Sequence, residues 1–382
     1  MRLLMTTDAV GGVWHYSLDA ARALEAHGVQ TTLAVVGPDP SPGQQVEAAG
    51  LHVMATGLPL DWAGAERPAI TQAARVLAAL AADYDVVQLN QPAFASLADW
   101  PVPVLAAAHS CVATWWSMVE GDTPFPAELA WQPELMRAGL SAAAASIAPT
   151  AAFAAMLAHR HQLARVPIAV HNGRSAAPLI PAFAGSSTLA ERVAVPARKR
   201  DLRAPSSTTD APPLDSEPTA DAVMSCGRLW DRSKNMGILD AIAARLPYPV
   251  RLFGAAEGPN GARFTATYAQ LYGQTSAADL ARHFAAQPIF AAPSLYEPFG
   301  LAVLEAAQAG CALVLADIPT FRELWDGAAI FVDPRSPRDW VAALSGPLDR
   351  AALGEAARSR AALYTVERMA TRLYGILAEI AA

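Results

Sequence analysis

Short apolar strand patterns alternate with helix patterns along almost the whole chain, and that alternation is the strongest constraint on its fold. Strand patterns fall at 3–5, 31–36, 86–89, 104–107, 147–148 and 168–170, with helix patterns at 17–27, 71–82 and 151–159. After a polar interruption the pattern resumes. Strands then fall at 222–226, 250–253, 289–292, 313–316 and 330–332, with helices at 235–246, 277–285, 297–309, 337–344, 350–363 and 366–380. Such alternation predicts parallel sheets covered on both faces by helices. Two runs predict two doubly wound, Rossmann-like α/β halves, with a ligand outside the carboxyl ends of the strands, in the cleft between them.

Length agrees: 382 residues exceed one typical core and suggest two domains. The first is expected over 1–172 and the second over 222–364, with a C-terminal helix at 365–382. Residues 173–221 are rich in Pro, Ser and Ala, and Arg198, Lys199, Arg200 and Arg203 precede Asp210, Asp215, Glu217 and Asp221. This composition reads as a flexible linker or insert, with a docking segment as the functional alternative. A hydrophobic content of 53% against 16% charged residues supports a large core. The net charge of −7 and pI near 5.6 argue against a nucleic-acid partner and a polybasic membrane anchor. No apolar run has spanning length, so no stable membrane insertion is expected, though peripheral contact stays open. The apolar start, Met1 to Met5, meets Thr6, Thr7 and Asp8 at once and reads as a buried strand rather than a signal segment. Cys111, Cys226 and Cys311 lack metal or redox spacing and read as reduced thiols of a cytoplasmic protein.

Chemistry concentrates at Tyr296-Glu-Pro-Phe-Gly-Leu-Ala-Val-Leu-Glu305. Pro298 can open a helix, because its missing N–H would be unpaired there. Phe299, Gly300 and Leu301 then present first-turn amides, an anion site made of backbone. Glu305 lies about two turns beyond Glu297 on such a helix. Two carboxylates and a phosphate cradle fit a polyhydroxylated, diphosphate-bearing ligand; an ordinary helix with an acidic first turn is the plainer alternative.

Three further segments fit the same ligand. In Gly227-Arg-Leu-Trp-Asp-Arg-Ser-Lys-Asn235, Arg228 and Lys234 can grip a diphosphate together, with Arg232 as a substitute for Lys234. The chain has only two lysines, which makes Lys234 notable. Gly11 and Gly12 permit a tight strand-to-helix loop at a phosphate or sugar, although paired glycines are also ordinary turn residues. His109 ends a strand and reads either as a cleft residue or as a hydrogen-bonded structural histidine. Trp115 and Trp116 follow and could wall an acceptor pocket, where Glu120 and Asp122 could orient hydroxyls. His159 and His161 lack a third ligand at metal spacing, so no metal is expected. Asp317 and Glu323 flank what reads as a structural loop.

The 296–305 string, with Ser294 before it and Ala306, Ala307 and Gly310 after it, resembles the E-x7-E motif of retaining glycosyltransferase family 4, whose fold is GT-B. Gly227 to Lys234 resembles that family's element of Gly-Arg, three to five residues and Lys, with a spacing one residue longer than the commoner form. Gly11-Gly12 resembles its first-strand glycine loop. The resemblance implies an acceptor-side N-terminal domain, a nucleotide-sugar-binding C-terminal domain, and a last helix that crosses back to the first domain. It implies that Glu297 touches the donor sugar, that Phe299, Gly300 and Leu301 touch sugar and diphosphate, and that Glu305 grips the ribose. It places Arg228 and Lys234 on the diphosphate, Gly11 and Gly12 beside the donor, backbone near Tyr272 against the base, and His109 near the reacting sugar. Trp14 and His15 then fall at the acceptor side, Trp14 either as a sugar platform or as core. The implied activity is metal-independent, retaining transfer of a hexosyl group from a nucleotide-sugar to an acceptor hydroxyl of a glycan, glycolipid or small molecule, with no cofactor. A nucleotide-sugar epimerase, a phosphorylase-like enzyme and a non-catalytic nucleotide-sugar binder remain as alternatives.

Overall fold

The computed structural model describes residues 1–62, 66–175, 217–258 and 261–382. The expected linker, and with it the docking-segment alternative, lies for the most part outside the described residues.

Strands β1 (Arg2–Thr7), β2 (Gln30–Val35), β3 (His52–Ala55), β4 (Val86–Leu89), β5 (Val104–Ala107), β6 (Ala145–Ala148) and β7 (Ile168–Ala169) form a parallel sheet in the order 3-2-1-4-5-6-7. Strands β8 (Val223–Cys226), β9 (Val250–Phe253), β10 (Gln270–Gly273), β11 (Ile289–Ala292), β12 (Ala312–Ala316) and β13 (Ile330–Val332) form a second, in the order 10-9-8-11-12-13. Every named pairing in both sheets is parallel. The chain is therefore built on two doubly wound, Rossmann-like sheets. In each, strand order reverses once, between β1 and β4 and between β8 and β11. At such a switch point adjacent loops diverge to opposite faces and leave a crevice.

The first half carries helices α1 (Gly12–Glu25), α2 (Pro42–Glu47), α3 (Arg67–Leu80), α4 (Val112–Val119), α5 (Trp131–Ala142) and α6 (Ala151–His161). The second carries α7 (Met236–Ala243), α8 (Ala277–Ala285), α9 (Leu301–Ala309), α10 (Pro319–Trp325), α11 (Pro337–Ser345) and α12 (Arg350–Ala361). The last, α13 (Val366–Ala381), buries Met369, Leu373, Ile376 and Leu377. These join Leu3, Met5, Trp14 and Leu24 in one cluster, so this helix completes the core of the first sheet.

The expected elements and the structure differ in instructive places. Edge strands β3 and β10 lack a continuous apolar run because most of their residues are exposed or half-buried. Helices α2, α4, α5 and α10 are absent from the sequence reading; α2 buries no residue and so has no apolar face to read. Ile318-Pro319-Thr320, read as a loop between Asp317 and Glu323, is instead the start of α10, opened by Pro319. The most consequential correction concerns 297–309. The helix starts at Leu301, and residues 297–300 are a loop. Gly300 has φ +90°, a left-handed conformation that ends any helix arriving from Pro298. A Cβ there would lie 3.1 Å from the Phe321 ring, so the position has little room for a side chain either.

Candidate functional site

Four loops meet at the two switch points: those after β1 and β4 from one sheet, and those after β8 and β11 from the other. The loop after β8 carries the cations. Asp231 organises it: its Oδ1 accepts from the Ser233 amide at 2.9 Å and hydroxyl at 2.7 Å, and its Oδ2 from Arg228 Nη2 at 2.8 Å. Burial pushes the Asp231 carboxyl up, but Arg228, Ser233 and Lys234 together hold it below the usual carboxylate value. The Trp115 indole N–H, from α4 of the other half, also donates to Asp231 Oδ1 at 3.2 Å. Lys234 is ion-paired with Glu297 Oε2, both largely buried. The two residues come from different strand ends, so the sheet, not local sequence, brings them together.

The loop after β11 is pinned at its backbone. Thr320 Oγ1 donates to the Glu297 carbonyl at 2.6 Å, and Thr150 Oγ1 to the Pro298 carbonyl at 3.0 Å. The amides of Phe299, Gly300 and Leu301 have no backbone acceptor among the described residues. They sit at the N-terminus of α9, where partial positive charge collects. The Phe299 side chain is 3% exposed and packs edge-on against Tyr364, so only its backbone is offered to a ligand. Further along α9, Glu305 Oε1 accepts from Arg174 Nε at 2.7 Å.

From the first half, the loop after β1 reaches the cations. A Cβ on Gly11 would lie 3.5 Å from Arg228 Nη1, and one on Gly12 would lie 3.5 Å from the Leu301 side chain. Asp8, in the same loop, accepts from the Val10 amide at 3.0 Å, and burial raises its carboxyl despite Arg228 nearby. His15 Nε2 lies 3.7 Å from Glu47. Trp14 corrects one alternative: its ring is fully buried and its Nε1 donates to Glu47, so it is core and offers no face to an acceptor.

His109 follows β5. Its Nε2 lies 3.0 Å from Asn90 Oδ1, and its ring tilts against Tyr16 at 4.4 Å between centroids. Asn90 Nδ2 already donates to the Thr6 carbonyl and Ser17 Oγ, at 2.7 and 3.1 Å. Its Oδ1 must therefore accept, which makes Nε2–H the protonated nitrogen and leaves Nδ1 bare. Desolvation pushes the imidazole down to about 4, so it is neutral near pH 7. It is a hydrogen-bond acceptor there rather than a proton donor.

Trp115 and Trp116 are half-buried and tilted at 6.2 Å from each other, and Trp116 packs edge-on against Phe125. Arg232 is ion-paired with Glu120, whereas Lys234 is ion-paired with Glu297, and Asp122 is exposed. Tyr272 lies apart, stacked on Phe253 and buried, so a base contact there would be made by backbone. His161 faces Cys111 Sγ at 3.1 Å, not His159. Among the described residues no group of three or more His, Cys, Asp or Glu side chains is placed to hold a metal ion.

The structure thus gathers Gly11, Gly12, Arg228, Lys234, Glu297 and the 299–301 amides into one crevice. Arg174, Asp231 and Asn90, which the sequence reading did not single out, hold the candidate residues Glu305, Arg228 and His109. Asn90 and Gln88 left a trace, as polar residues in a wholly buried stretch. Arg174 left none, because its partners are 131 and 155 residues away in sequence.

Two facing Rossmann-like units with a basic, amide-lined crevice between them define a GT-B glycosyltransferase fold. Residues 10–174 match the model of Glycosyltransferase Family 4, and residues 220–349 that of Glycosyl transferases group 1; the chain belongs to this family. Similar solved structures include sucrose-phosphate synthase from Thermosynechococcus elongatus, with 17% identity over 99% of this chain and 98% of that one and a TM-score of 0.69. The Anabaena protein HepE, solved in complex with UDP and glucose, has 16% identity over 99% and 100%, also at 0.69. WaaG, a glycosyltransferase involved in lipopolysaccharide biosynthesis, has 13% identity over 99% of both chains, at 0.65. At these identities the likeness shows the fold. A comparison with curated proteins found no match.

Proposed function

We propose that the protein is a retaining, metal-independent hexosyltransferase that moves a sugar from a nucleotide-diphosphate donor to an acceptor hydroxyl. The observation that carries this reading is the Lys234–Glu297 ion pair, set beside Arg228 at the open N-terminus of α9. A donor diphosphate laid there would meet Arg228, Lys234 and the 299–301 amides, and its sugar would meet Glu297. HepE, a neighbour in fold, was solved with UDP and glucose, in keeping with a nucleoside diphosphate as leaving group.

In the reaction the bond from the anomeric carbon to the diphosphate oxygen breaks while a bond to the acceptor oxygen forms on the same face. The acceptor proton passes to the departing diphosphate oxygen. Preorganised cations and amides stabilise the charge that develops there, without reorganising at the moment of reaction. Neutral His109 accepts a hydrogen bond through Nδ1 from a sugar hydroxyl. Trp115 and Trp116 wall the acceptor side, beside Glu120, while Glu305 holds the ribose.

Thermal-shift screening of UDP-, GDP- and ADP-sugars identifies the donor, since a ligand of the native state raises its melting temperature. Incubation with that donor and a panel of sugar and lipid acceptors should release nucleoside diphosphate and yield a product of retained anomeric configuration. Turnover of donor alone into a new nucleotide-sugar would instead make the protein an epimerase.

A further inference from the structure

Arg174 lies just past β7, where the first sheet hands over to the second half. Its Nη1 donates to Asp19 Oδ2 on α1 at 2.9 Å, and its Nε to Glu305 Oε1 on α9 at 2.7 Å. One guanidinium therefore joins a helix of each half. The group is only 19% exposed, and Asp19 and Glu305 are 9% and 26% exposed. Burial acts to lower the Arg174 value, but the two carboxylates outweigh it and raise it, so the side chain stays charged.

The backbone of Arg174 is held as firmly as its side chain. Gln308, one turn after Glu305 on α9, donates through Nε2 to the Arg174 carbonyl at 2.8 Å. The neighbouring Gly173 passes so close to Thr365 that a Cβ would lie 2.2 Å from the Thr365 carbonyl oxygen. The Gly173 amide meets Met369 Sδ of α13 at 3.2 Å. Arg174 is thus fixed on a rigid seam, and a fixed donor orients its acceptor.

We propose that Arg174 is a positioning residue for the donor's ribose. It holds Glu305 Oε1, so that Oε2 points at the ribose hydroxyls, and through Asp19 it makes that orientation depend on the two halves being correctly placed. The proposal rests on the ribose role of Glu305 in the function proposed above. A free Glu305 would sample several rotamers and lose side-chain entropy on binding. Held by Arg174, it meets the ribose already oriented. Arg174 touches no reacting atom, so its effect appears in donor affinity and ribose discrimination rather than in the bond-breaking step.

The test compares ligands as well as variants. UDP, GDP and ADP are titrated calorimetrically into the wild-type protein, and the tightest is compared with its 2′,3′-dideoxy analogue. Arg174→Met should weaken the ribonucleoside diphosphate about tenfold, the scale of a lost charge-assisted contact, while changing the dideoxy analogue less than about twofold. Arg174→Lys keeps the charge but has one nitrogen for two carboxylates, so an intermediate loss is expected. It carries the same comparison if the methionine variant fails to fold. In both, donor KM should rise with kcat nearly unchanged. Equal weakening of both ligands, or no weakening of either, overturns the positioning role. If the wild type does not discriminate between the ligands, or binds none of the three diphosphates, the ribose assignment of Glu305 fails first and the proposal fails with it.

Discussion

Each glutamate of the 296–305 motif is engaged by a cation of different origin, and that difference separates their roles. Glu297 shares its pocket with Lys234, where donor sugar and diphosphate would meet. A carboxylate beside the anomeric carbon gains interaction as that carbon becomes cationic, so Glu297→Gln should lower kcat. In the proposed role Glu305 would face ribose hydroxyls, which do not change during reaction, so Glu305→Gln should raise donor KM and spare kcat. Steady-state kinetics of the two variants decides, and the reverse pattern would sink the division. Arg228→Ala and Lys234→Ala should each lower turnover on the order of a hundredfold without loss of fold, the usual cost of one preorganised charge contact. Near-normal kcat in both would remove the diphosphate site. Burial strengthens the Lys234–Glu297 pair in particular, because largely desolvated charges act at a lower dielectric than exposed ones, whereas Arg228 is 40% exposed.

At the scale of elements, α6 shows burial overruling position. His161 stands in its last turn, where the helix dipole favours a cation. Yet burial, followed by Arg160 and Arg137, pushes the imidazole down to about 4. The unfolded chain takes up a proton as pH falls through 6.5, and the native one does not until about 4. Stability from this residue is therefore full above 6.5 and declines between those values, by up to about 3 kcal/mol. Burial holds Asp61 up near 6, which has the opposite sign, so the difference between proteins is the readout. The gap in melting temperature between wild type and His161→Gln should shrink from pH 7 to pH 4.5. Parallel curves would mean that the histidine titrates normally.

Elements also show what a sequence can disclose. Buried parallel strands such as β5 and β11 were legible to the residue, because a run apolar on both faces has no amphipathic competitor. Helix α13 was legible because its apolar stripe has helical period. The start of α9 was not, because a glycine that stops a helix reads like one that lets a ligand approach. Trp14 stood open between core and platform, since an aromatic side chain serves either, and only the packing of α1 on β1 decides. Asp231 lay inside a quoted motif yet carried no signal, because its tie to Trp115 spans 116 residues.

In the whole molecule, the halves are joined close to the chemistry. Tyr296, adjacent to Glu297, sits in the core cluster of the first half and accepts from the Cys111 amide at 3.0 Å. Glu323 on α10 accepts from the Ala151 and Ala152 amides and lies 2.8 Å from His171 Nε2. Burial raises that carboxyl, but the His171 and amide hydrogen bonds outweigh it and leave it below the ordinary glutamate value. The core of the first half also depends on α13. Leu373→Ala should cost about 3 kcal/mol, as large-to-small core changes do. The loss should show in hydrogen exchange at α1, β4 and β5, against which α13 packs, rather than at β8 to β13. Faster exchange confined to the second half would contradict the packing.

That dependence on α13 has a consequence in time. A ribosome delivers β1 to β7 first, then all of the second sheet, and only afterwards the helix that packs on α1, β4 and β5. At roughly 5–20 residues per second, the nascent first half waits on the order of ten seconds or more with its Val86 and Leu105 face incompletely covered. Throughout that interval the second half can fold as a unit, whereas the first cannot finish. Birth order and completion order are thus inverted, and an incompletely covered apolar sheet is the species that a chaperone would meet.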